Sequence, residues 1–422
     1  MRTSSYRAMS TTASRLMLFV VPAVVVAVLL SPLVGLVGSS PVARPSPGVA
    51  SIGTPAAAFL TRPLGDVAPA MLSTGNQGPA TLGPRPSVST SVVVGKHFPG
   101  LSFANNTCGC VPPDVQVAVG PGYVVEMINT EGKIWTKAGV VVTSFSLGPF
   151  FLTGTNFISD PKILYDNVSG RWFASILNVS AFTSTGTAAT QVAVSTSSDP
   201  TKTWDVYSIP GGPAHDFADQ PILGVSNGLV AIGGNEFGIV SQAFVGSELF
   251  ALNKTAMIHG LTTFYTTFGP YSTRISMHPV HSISSTGIEY VVMTTGSSTV
   301  DLFKLTGSPS STTVAHLSAA IALSVASFST PPAAPQKGTS FLVDTSDVRV
   351  QDAVWKTNTL WLTFNTGCVP SGDISTRSCV RLVEITTGST NTVTQSFNLA
   401  HSQRYFFYGA LALDGGSNLT VV

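Results

Sequence analysis

The chain has 422 residues, of which 44% are hydrophobic and only 10% are Asp, Glu, Lys or Arg. Average soluble domains carry about 25% charged residues, so this surface must consist mainly of Ser, Thr, Asn and Gly. The net charge of +1 divides into +5 over residues 1–95, with six arginines against Asp66, and −4 over residues 96–422, with 15 basic against 19 acidic residues. Residues 96–422, the body of the chain, contain no basic stripe, which excludes nucleic-acid binding. Their apolar content excludes disorder.

The N-terminus has the pattern of an export signal. Arg2, Arg7 and Arg15 precede a charge-free apolar run over residues 16–37, which is typical of such signals. At 1.5 Å per residue the run is about 33 Å long, enough to span a bilayer. Residues 1–37 are therefore predicted to be either a cleaved signal peptide or an N-terminal membrane anchor. Both place the rest of the chain outside the cell, with this segment as its single membrane contact.

Residues 38–95 are predicted to be a disordered linker rich in Pro, Ser and Ala. Nine prolines lie between Pro41 and Pro86 among small, mostly uncharged residues. Such a segment cannot bury a core and favours an extended spacer. The folded domain is therefore predicted over residues 96–422.

Cysteine usage agrees with export. Cys368 and Cys379 flank a polar loop, and a disulfide that closes a hairpin is the natural pairing for them. Cys108 and Cys110 would form either a second, tight bridge or two free thiols. Five Asn-x-Ser/Thr sequons permit glycosylation of an exported chain; they begin at Asn105, Asn167, Asn178, Asn253 and Asn418.

The body consists of short alternating β runs separated by Gly, Pro, Asn, Asp and Ser, which predicts an all-β fold. The runs come in groups of about four that resemble one another. The groups start at Asp114, Asp160, Asp219, His278 and Asp352, with another near Tyr408, about 59 residues apart on average. Four antiparallel strands per unit at this spacing are the signature of a β-propeller. Since the last group stops after two strands, we predict six or seven four-stranded blades with an incomplete last blade.

One turn of the second group resembles a known repeat. The segment Ser197-Ser-Asp199-Pro-Thr201-Lys-Thr-Trp204 is similar to the Asp-box (BNR) repeat of sialidase-type propellers, Ser-x-Asp-x-Gly-x-x-Trp, with Thr201 in place of Gly. In that family the box is a turn between the third and fourth strands of a blade. The resemblance implies structural roles: Asp199 would close the turn and Trp204 would pack between blades.

A wider pattern resembles a group of secreted microbial propeller-like proteins of unassigned function. The pattern comprises Pro113-Asp114, Val119-Gly120-Pro121, Asp160-Pro161, Gly170-Arg171-Trp172 and Asp199-Pro200. The resemblance covers roughly residues 110–415. It implies the propeller fold and export, but it does not imply any catalysed reaction. Since chains of that group continue beyond the point where this one stops, we expect the domain to be C-terminally truncated.

Acidic residues recur where the first strand of each group begins. Because these strands line the central channel of a propeller, the candidates for the channel mouth are Asp114, Asp160, Asp219 and Asp352, with His278. Converging carboxylates would suit Ca²⁺, which takes about six to eight oxygen ligands. Alternatively, each Asp hydrogen-bonds loop backbone, as short acidic side chains do at turns.

A second candidate set, His215, Asp219 and His278, combines imidazole and carboxylate groups of the kind that bind transition metals. His281 cannot join His278 in such a set without a turn, because positions i and i+3 of a strand point to opposite faces. Ordinary surface histidines are the alternative.

The sequence does not assign any catalytic residue. Glycoside hydrolysis needs two carboxyl groups about 5–10 Å apart, and sialidase chemistry, by the family resemblance, needs three arginines and a Tyr/Glu pair. The five tryptophans are expected in the core rather than on a sugar-binding platform. We predict a secreted or surface-anchored extracellular propeller that binds a glycan or protein ligand or has a surface-structural role. The alternatives are a sialidase-type glycoside hydrolase and a surface-layer or adhesion component.

Overall fold

The computed structural model describes residues 46–53, 96–211 and 216–422. The predicted signal or anchor segment, residues 1–37, and His215 lie outside these ranges. No helix within the described ranges is long and apolar enough to cross a membrane. Strands dominate them, which confirms the predicted all-β fold.

The first strand, β1 (Ser46–Gly53), is followed by a short 3₁₀ turn at Phe103–Asn105 and then by three four-stranded antiparallel units, blades 1 to 3. Blade 1 contains β2 (Gln116–Val119), β3 (Tyr123–Ile128), β4 (Glu131–Thr136) and β5 (Val141–Ser146), and the helix α1 (Leu147–Phe150) follows it. Blade 2 contains β6 (Phe157–Asp166), β7 (Arg171–Val179), β8 (Ala188–Ser195) and β9 (Trp204–Pro210). Blade 3 contains β10 (Asp216–Val225), β11 (Leu229–Gly238), β12 (Phe244–Asn253), the helix α2 (Lys254–Ile258) and β13 (Thr263–Tyr271).

Blades 4 to 6 follow in the same manner. In blade 4, β14 (His278–Pro279) is followed in the chain by β15 (His281–Ser282), which pairs outside the sheet of this blade. The sheet is completed by β16 (Glu289–Thr295), β17 (Thr299–Thr306), β18 (His316–Leu317) and β19 (Ile321–Ser324). A small hairpin of β20 (Ala334–Pro335) and β21 (Leu342–Val343) separates it from the next blade. Blade 5 contains β22 (Val350–Lys356), β23 (Thr359–Cys368), β24 (Arg377–Thr386) and β25 (Thr392–Leu399). Blade 6 contains β26 (Leu411–Leu413) and β27 (Leu419–Val421). The predicted propeller with an incomplete last blade is confirmed.

The hydrophobic cores lie between neighbouring blades rather than within any one of them. Separate clusters of buried apolar side chains join blade 1 to blade 2, blade 2 to blade 3, blade 3 to blade 4, blade 4 to blade 5 and blade 5 to blade 6. Both faces of each inner blade are therefore buried. This accounts for the nearly continuous apolar runs of strands such as β7 and β11.

Two short strands link the blades to one another. β15 pairs in parallel with the innermost strands β10 and β22, through His281. β1, which lies within the predicted linker, pairs with the outermost strands β9 and β13 of blades 2 and 3. The remaining residues of the predicted linker up to residue 95 are outside the described ranges.

The four cysteines form two disulfides. Cys368 and Cys379 join the ends of the β23–β24 hairpin, as predicted, and Cys108 pairs with Cys110. The open choice between a second bridge and two free thiols is thereby decided in favour of the bridge. Disulfides persist in oxidising, extracytoplasmic compartments, and these two fit such an environment.

The tryptophans are core residues, as predicted. The exposed fraction of the five side chains is 8% or less. Trp204 packs edge-on against Phe150 and donates its indole N–H to the carbonyl of Pro200 at 3.0 Å. Asp199 accepts hydrogen bonds from the amide and hydroxyl of Thr201, and Ser197 Oγ accepts one from the amide of Asp199. Asp199 thus closes this turn, and Trp204 belongs to the apolar cluster between blades 1 and 2.

Polar side chains on or just after the second strand of each blade hydrogen-bond the backbone where the next blade begins. The five bonds join Asn129 to the Asp160 amide, Ser175 to the Pro221 carbonyl, Asn235 to the Ser276 amide, Thr294 to the Val348 carbonyl and Asn365 to the Tyr408 amide, at 2.8–3.0 Å. The residues they reach lie at or near a recurring backbone kink with positive φ, at Asp114, Asp160, Gln220, Ser276, Ser346 and Tyr408. Each blade thus fixes the start of its successor.

Replacement of Asn235 by Ala should destabilise the domain. The side chain accepts from the Ser276 amide at 2.8 Å and donates to the Ser276 hydroxyl at 2.9 Å, and both residues are almost fully buried. A buried amide left without a partner costs about 1–3 kcal/mol, so thermal unfolding should shift down by about 5 °C. Asn167→Ala, at an exposed position, should leave the melting temperature unchanged. Equal melting temperatures for the two variants would contradict the role assigned to Asn235.

Candidate functional site

The predicted channel-mouth residues converge at one end of the innermost strands. Asp114 precedes β2, while Asp160 and Asp219 lie on β6 and β10. The carboxyl group of Asp160 lies within hydrogen-bond reach of those of Asp114 and Asp219. Three blades therefore contribute to one group of neighbouring carboxyl groups.

Burial is the main influence on the protonation of these carboxyl groups. It raises the pKa of Asp114 to about 7, with the charge of Asp160 as the second cause. It raises the pKa of Asp160 to about 7 as well, helped by Asp219. The pKa of Asp219 is also raised by burial, against the hydrogen bond from Asp160 and the charge of Arg349. Near neutral pH Asp114 and Asp160 can therefore both donate and accept hydrogen bonds.

Two cations accompany the carboxyl groups. Lys162 follows Asp160 on β6; burial lowers its pKa, although Asp160, Asp352 and Asp114 act in the opposite direction. Arg349 pairs with Asp347 at 2.7 Å and lies close enough to Asp219 to lower the pKa of that carboxyl group. The channel mouth is thus a mixed site of donors and acceptors rather than a purely acidic one.

A single amide side chain positions two of the carboxyl groups. Asn129 Nδ2 donates to Asp114 Oδ2 at 2.8 Å, and Asn129 Oδ1 accepts from the Asp160 amide at 3.0 Å. Asp114 and Asp160 have φ values of 51° and 56°, a region that few residues other than Gly adopt. Asn129 therefore stabilises the uncommon backbone that directs both carboxyl groups into the channel.

Asp352 and His278 lie on the inner strands of blades 5 and 4, and both are near Lys162. Asp352 accepts hydrogen bonds from the amides of Ala353 and Leu411, at 2.8 and 2.7 Å. Asp352 therefore agrees with the second interpretation of the aspartates, in which an acidic side chain hydrogen-bonds loop backbone instead of binding Ca²⁺. His278 is 6% exposed and its Nδ1 has no hydrogen-bond partner; burial, and secondly Lys162, lowers its pKa to about 3.

The two histidines of blade 4 are separated, as the strand geometry predicts. His278 lies near Lys162, whereas His281 lies near Asp166, beside a different cluster. No group of three or more His, Cys, Asp or Glu residues in residues 96–211 and 216–422 is arranged to hold a metal ion. The predicted set of His215, Asp219 and His278 includes a residue outside these ranges, so it stays a prediction, as does Ca²⁺.

A row of aromatic rings runs outward from the mouth over blades 2 and 3. Successive ring centroids are 5.4–5.8 Å apart, in the order Phe157, Phe182, Phe217, Phe237 and Phe244. Phe157 and Phe217 precede Asp160 and Asp219 by two or three residues on the same strands. The first four rings are half-buried and Phe244 is 40% exposed. We call this row the phenylalanine ridge.

Beneath the ridge, blade 3 holds a pair of acidic side chains. Glu236 on β11 and Glu248 on β12 are 2% and 6% exposed, and they lie close enough for the charge of Glu248 to raise the pKa of Glu236. Burial raises the pKa of both, and Asp216 adds a further negative charge nearby. Neither carboxyl group has a cationic partner among the described ion pairs.

The described arginines are distributed over the domain. Arg349 is at the channel, whereas Arg274 stacks 4.1 Å from the ring centroid of Tyr271. Arg377 pairs with Asp373, and Arg381 donates to Asn398 and to the carbonyl of Ala326. This arrangement differs from the three convergent arginines that the sialidase resemblance requires.

Sequence reasoning identified the aspartates but missed Lys162, Asn129 and the phenylalanine ridge. The spacing of Lys162 two residues after Asp160 was an available signal, because positions i and i+2 of a strand share a face. No local sequence signal indicated the phenylalanine ridge, since its five rings are far apart in sequence and come together through the blade arrangement.

No protein-family model matches the chain, and no curated protein is similar to it at a significant level. Among solved structures, the chain is similar to a subtype N11 neuraminidase-like protein of A/flat-faced bat/Peru/033/2010 (H18N11), with a TM-score of 0.31, 8% identity, and coverage of 69% of this chain and 73% of that one. It is also similar to a putative exo-β-1,3-galactanase from Bifidobacterium bifidum s17, with a TM-score of 0.32, 13% identity, and coverage of 71% and 95%. A neuraminidase-like protein from A/bat/Guatemala/164/2009 has a TM-score of 0.30, 10% identity, and coverage of 70% and 74%. The assignment of the fold rests on the blades themselves.

Proposed function

We propose that this protein is an extracellular binding propeller that takes a carbohydrate at the mouth of its central channel. The observation that carries the proposal is the juxtaposition of the neighbouring carboxyl groups of Asp114, Asp160 and Asp219 with the phenylalanine ridge. The two disulfides and the export pattern of the N-terminus support an extracellular setting.

The chemistry of the site suits a polyhydroxylated ligand. Sugar hydroxyls both donate and accept hydrogen bonds, and the mouth offers carboxyl oxygens together with the donors of Lys162 and Arg349. The apolar faces of sugar rings pack on aromatic side chains, and the phenylalanine ridge provides such faces beside the polar mouth. A few convergent polar groups next to aromatic rings are the usual composition of a small-molecule site.

Hydrolysis is disfavoured by the spacing of the carboxyl groups. A glycosidase separates its two carboxyl groups by about 5–10 Å to admit the sugar and, in inverting enzymes, a water molecule. Here Asp160 is hydrogen-bonded directly to both Asp114 and Asp219. The group that could act as an acid is therefore bonded to the group that would act as a nucleophile or base.

The test is a glycan array screened with the purified full-length chain, alongside a panel of chromogenic glycosides. We expect binding to a defined glycan class without glycoside cleavage. Asp219→Asn, which removes the acceptor charge at nearly constant volume, should weaken that binding at least tenfold, a loss of about 1.4 kcal/mol. Phe237→Ala should weaken it by a similar factor.

Glu384→Gln is the matched control, because its carboxylate lies on blade 5, where it accepts hydrogen bonds from Thr394 and Gln395. It should bind as the parent does. Array binding that survives both mouth variants would place the ligand elsewhere, and silence on the array would contradict the proposal. Cleavage of a chromogenic glycoside that Asp219→Asn abolishes would replace it with the hydrolase alternative.

A further inference from the structure

A second buried cluster lies at the opposite end of the inner strands and takes no part in the proposed site. Lys254, the first residue of α2, donates to Asp166 Oδ2 at 2.6 Å and to the carbonyl of Ser226 at 2.5 Å. Both charged side chains are 1% exposed. The ammonium also lies 5.8 Å from the ring centroid of Phe173. An amine and a carboxyl group are thus held in contact and shielded from water.

The carboxyl group of Asp166 is surrounded by hydrogen-bond donors. The amide of Val168 donates to Oδ1 at 3.1 Å, while the amide and hydroxyl of Ser169 donate to Oδ2. Donors aimed at a carboxyl oxygen polarise the carbon and stabilise the negative charge that develops when a nucleophile adds to it. The Ser169 donors and the charge of Lys254 also lower the pKa of Asp166, against burial.

A third ionisable group, Glu289, lies near Lys254 and Asp166. Glu289, the first residue of β16, is completely buried; its Oε1 accepts from the Val280 amide at 3.2 Å and its Oε2 has no hydrogen-bond partner. The Ser226 hydroxyl lies beside this carboxyl group, and the Ser226 carbonyl receives Lys254, so one residue contacts both. Burial raises the pKa of Glu289 well above its usual range, which favours its protonated form.

We infer that Lys254 and Asp166 form an intramolecular isopeptide bond, with Glu289 as the proton-transferring residue. The reaction requires a proton to move from the ammonium to the carboxylate, which gives a neutral amine beside a carboxylic acid. Lys254 Nζ then adds to Asp166 Cγ, and Glu289 relays a proton from the nitrogen to the departing oxygen. One C–N bond forms, one C–O bond breaks and one water molecule leaves, so no oxidant or cofactor is required. The bond would join blade 2 to blade 3.

The test is the mass of the full-length chain, made in a host that does not glycosylate it and measured after disulfide reduction. The wild-type chain should be lighter than its sequence by one water. Tryptic digestion should give residues 163–171 covalently joined to residues 203–274, because trypsin does not cleave after a modified lysine. Asp166→Asn should lose one ammonia instead, which locates the reacting carbon.

Two variants test which side chains are needed to form the isopeptide bond. Lys254→Met removes the nucleophile and Glu289→Gln removes the transferable proton, and both should restore the full mass. Glu289→Gln keeps the size of the side chain, so it serves if Lys254→Met does not fold. A wild-type chain of full mass that yields separate peptides 163–171, 203–254 and 255–274 would overturn the inference and leave a buried ion pair.

Discussion

Replacement of Glu236 by Gln should make the domain more resistant to heat in alkaline solution and leave it unchanged in acid. Burial raises the pKa of Glu236 to about 9 and that of Glu248 to about 7. The wild-type pair therefore loses its protons, and gains two unpaired buried charges, as pH rises from about 5 to about 9. In the variant, the side-chain amide of the introduced glutamine would donate a hydrogen bond to Glu248 without titrating.

The sign follows from proton linkage. A carboxyl group whose pKa is raised on folding contributes stability that is complete below its unfolded pKa of about 4.3 and is lost as pH rises through the folded value. We expect the melting temperature of the wild-type protein to fall between pH 6 and pH 9, and that of Glu236→Gln to fall less. A difference of about 5 °C at pH 9 and none at pH 5 is the expected size, since each unit of pKa shift is worth about 1.4 kcal/mol.

Glu384→Gln, the same substitution on the surface of blade 5, should follow the wild-type curve at every pH. Asp114 and Asp160 also have raised pKa values, so part of the decline should persist in Glu236→Gln. Parallel curves for the wild type and Glu236→Gln would show that the glutamate pair is already ionised in the folded protein.

Proton linkage also determines how the stability of the domain falls at low pH. Burial lowers the pKa of His278 to about 3 and that of His281 to about 4. A histidine of this kind contributes stability that is present above about pH 6.5 and is lost as pH falls through the folded pKa. The carboxyl groups with raised pKa values make the folded domain more stable at low pH, whereas the histidines with lowered pKa values make it less stable there. Maximal stability should therefore lie near pH 5–6.

The fold was predictable because it is repetitive. The alternating β runs and their spacing predicted the blades, and the aspartates marked the innermost strands without any structural information. The disulfide between Cys368 and Cys379 followed from hairpin geometry. Each of these features is encoded within a few neighbouring residues.

The site was predictable only in part, because its remaining members come together through tertiary contacts. The sequence around Glu236 does not indicate that Glu248 lies beside it. Likewise, the sequence around Lys254 does not indicate that Asp166 and Glu289 lie nearby. Buried ionisable residues in an apolar strand are locally indistinguishable from solvent-facing ones. Whether such a residue meets a cation, another acid or water depends on which blade faces it.

The contact between Gly120 and Trp172 offers a sharper test of how the blades are joined. Trp172 on β7 is fully buried, packs edge-on against Tyr165 at 4.9 Å and donates its indole N–H to the carbonyl of Ser198 at 2.9 Å. A Cβ atom on Gly120 of blade 1 would lie 2.4 Å from Trp172 Cζ2. A side chain at position 120 would therefore collide with the indole of Trp172.

Trp172→Ala should destabilise the domain by about 3–5 kcal/mol, the usual cost of deleting a buried aromatic side chain, and lower the melting temperature by about 10 °C. Gly120→Ala should cost about 1–3 kcal/mol in the wild-type background, because the added methyl collides with the indole. In the Trp172→Ala background the same substitution should cost much less, since Tyr165 Cδ2, at 3.1 Å, is then the nearest remaining contact among those that the added methyl makes. Phe341→Ala, at a ring that is 78% exposed, is the control and should change stability by less than about 0.5 kcal/mol. Additive effects of Gly120→Ala and Trp172→Ala in this double-mutant cycle would show that the two residues do not meet.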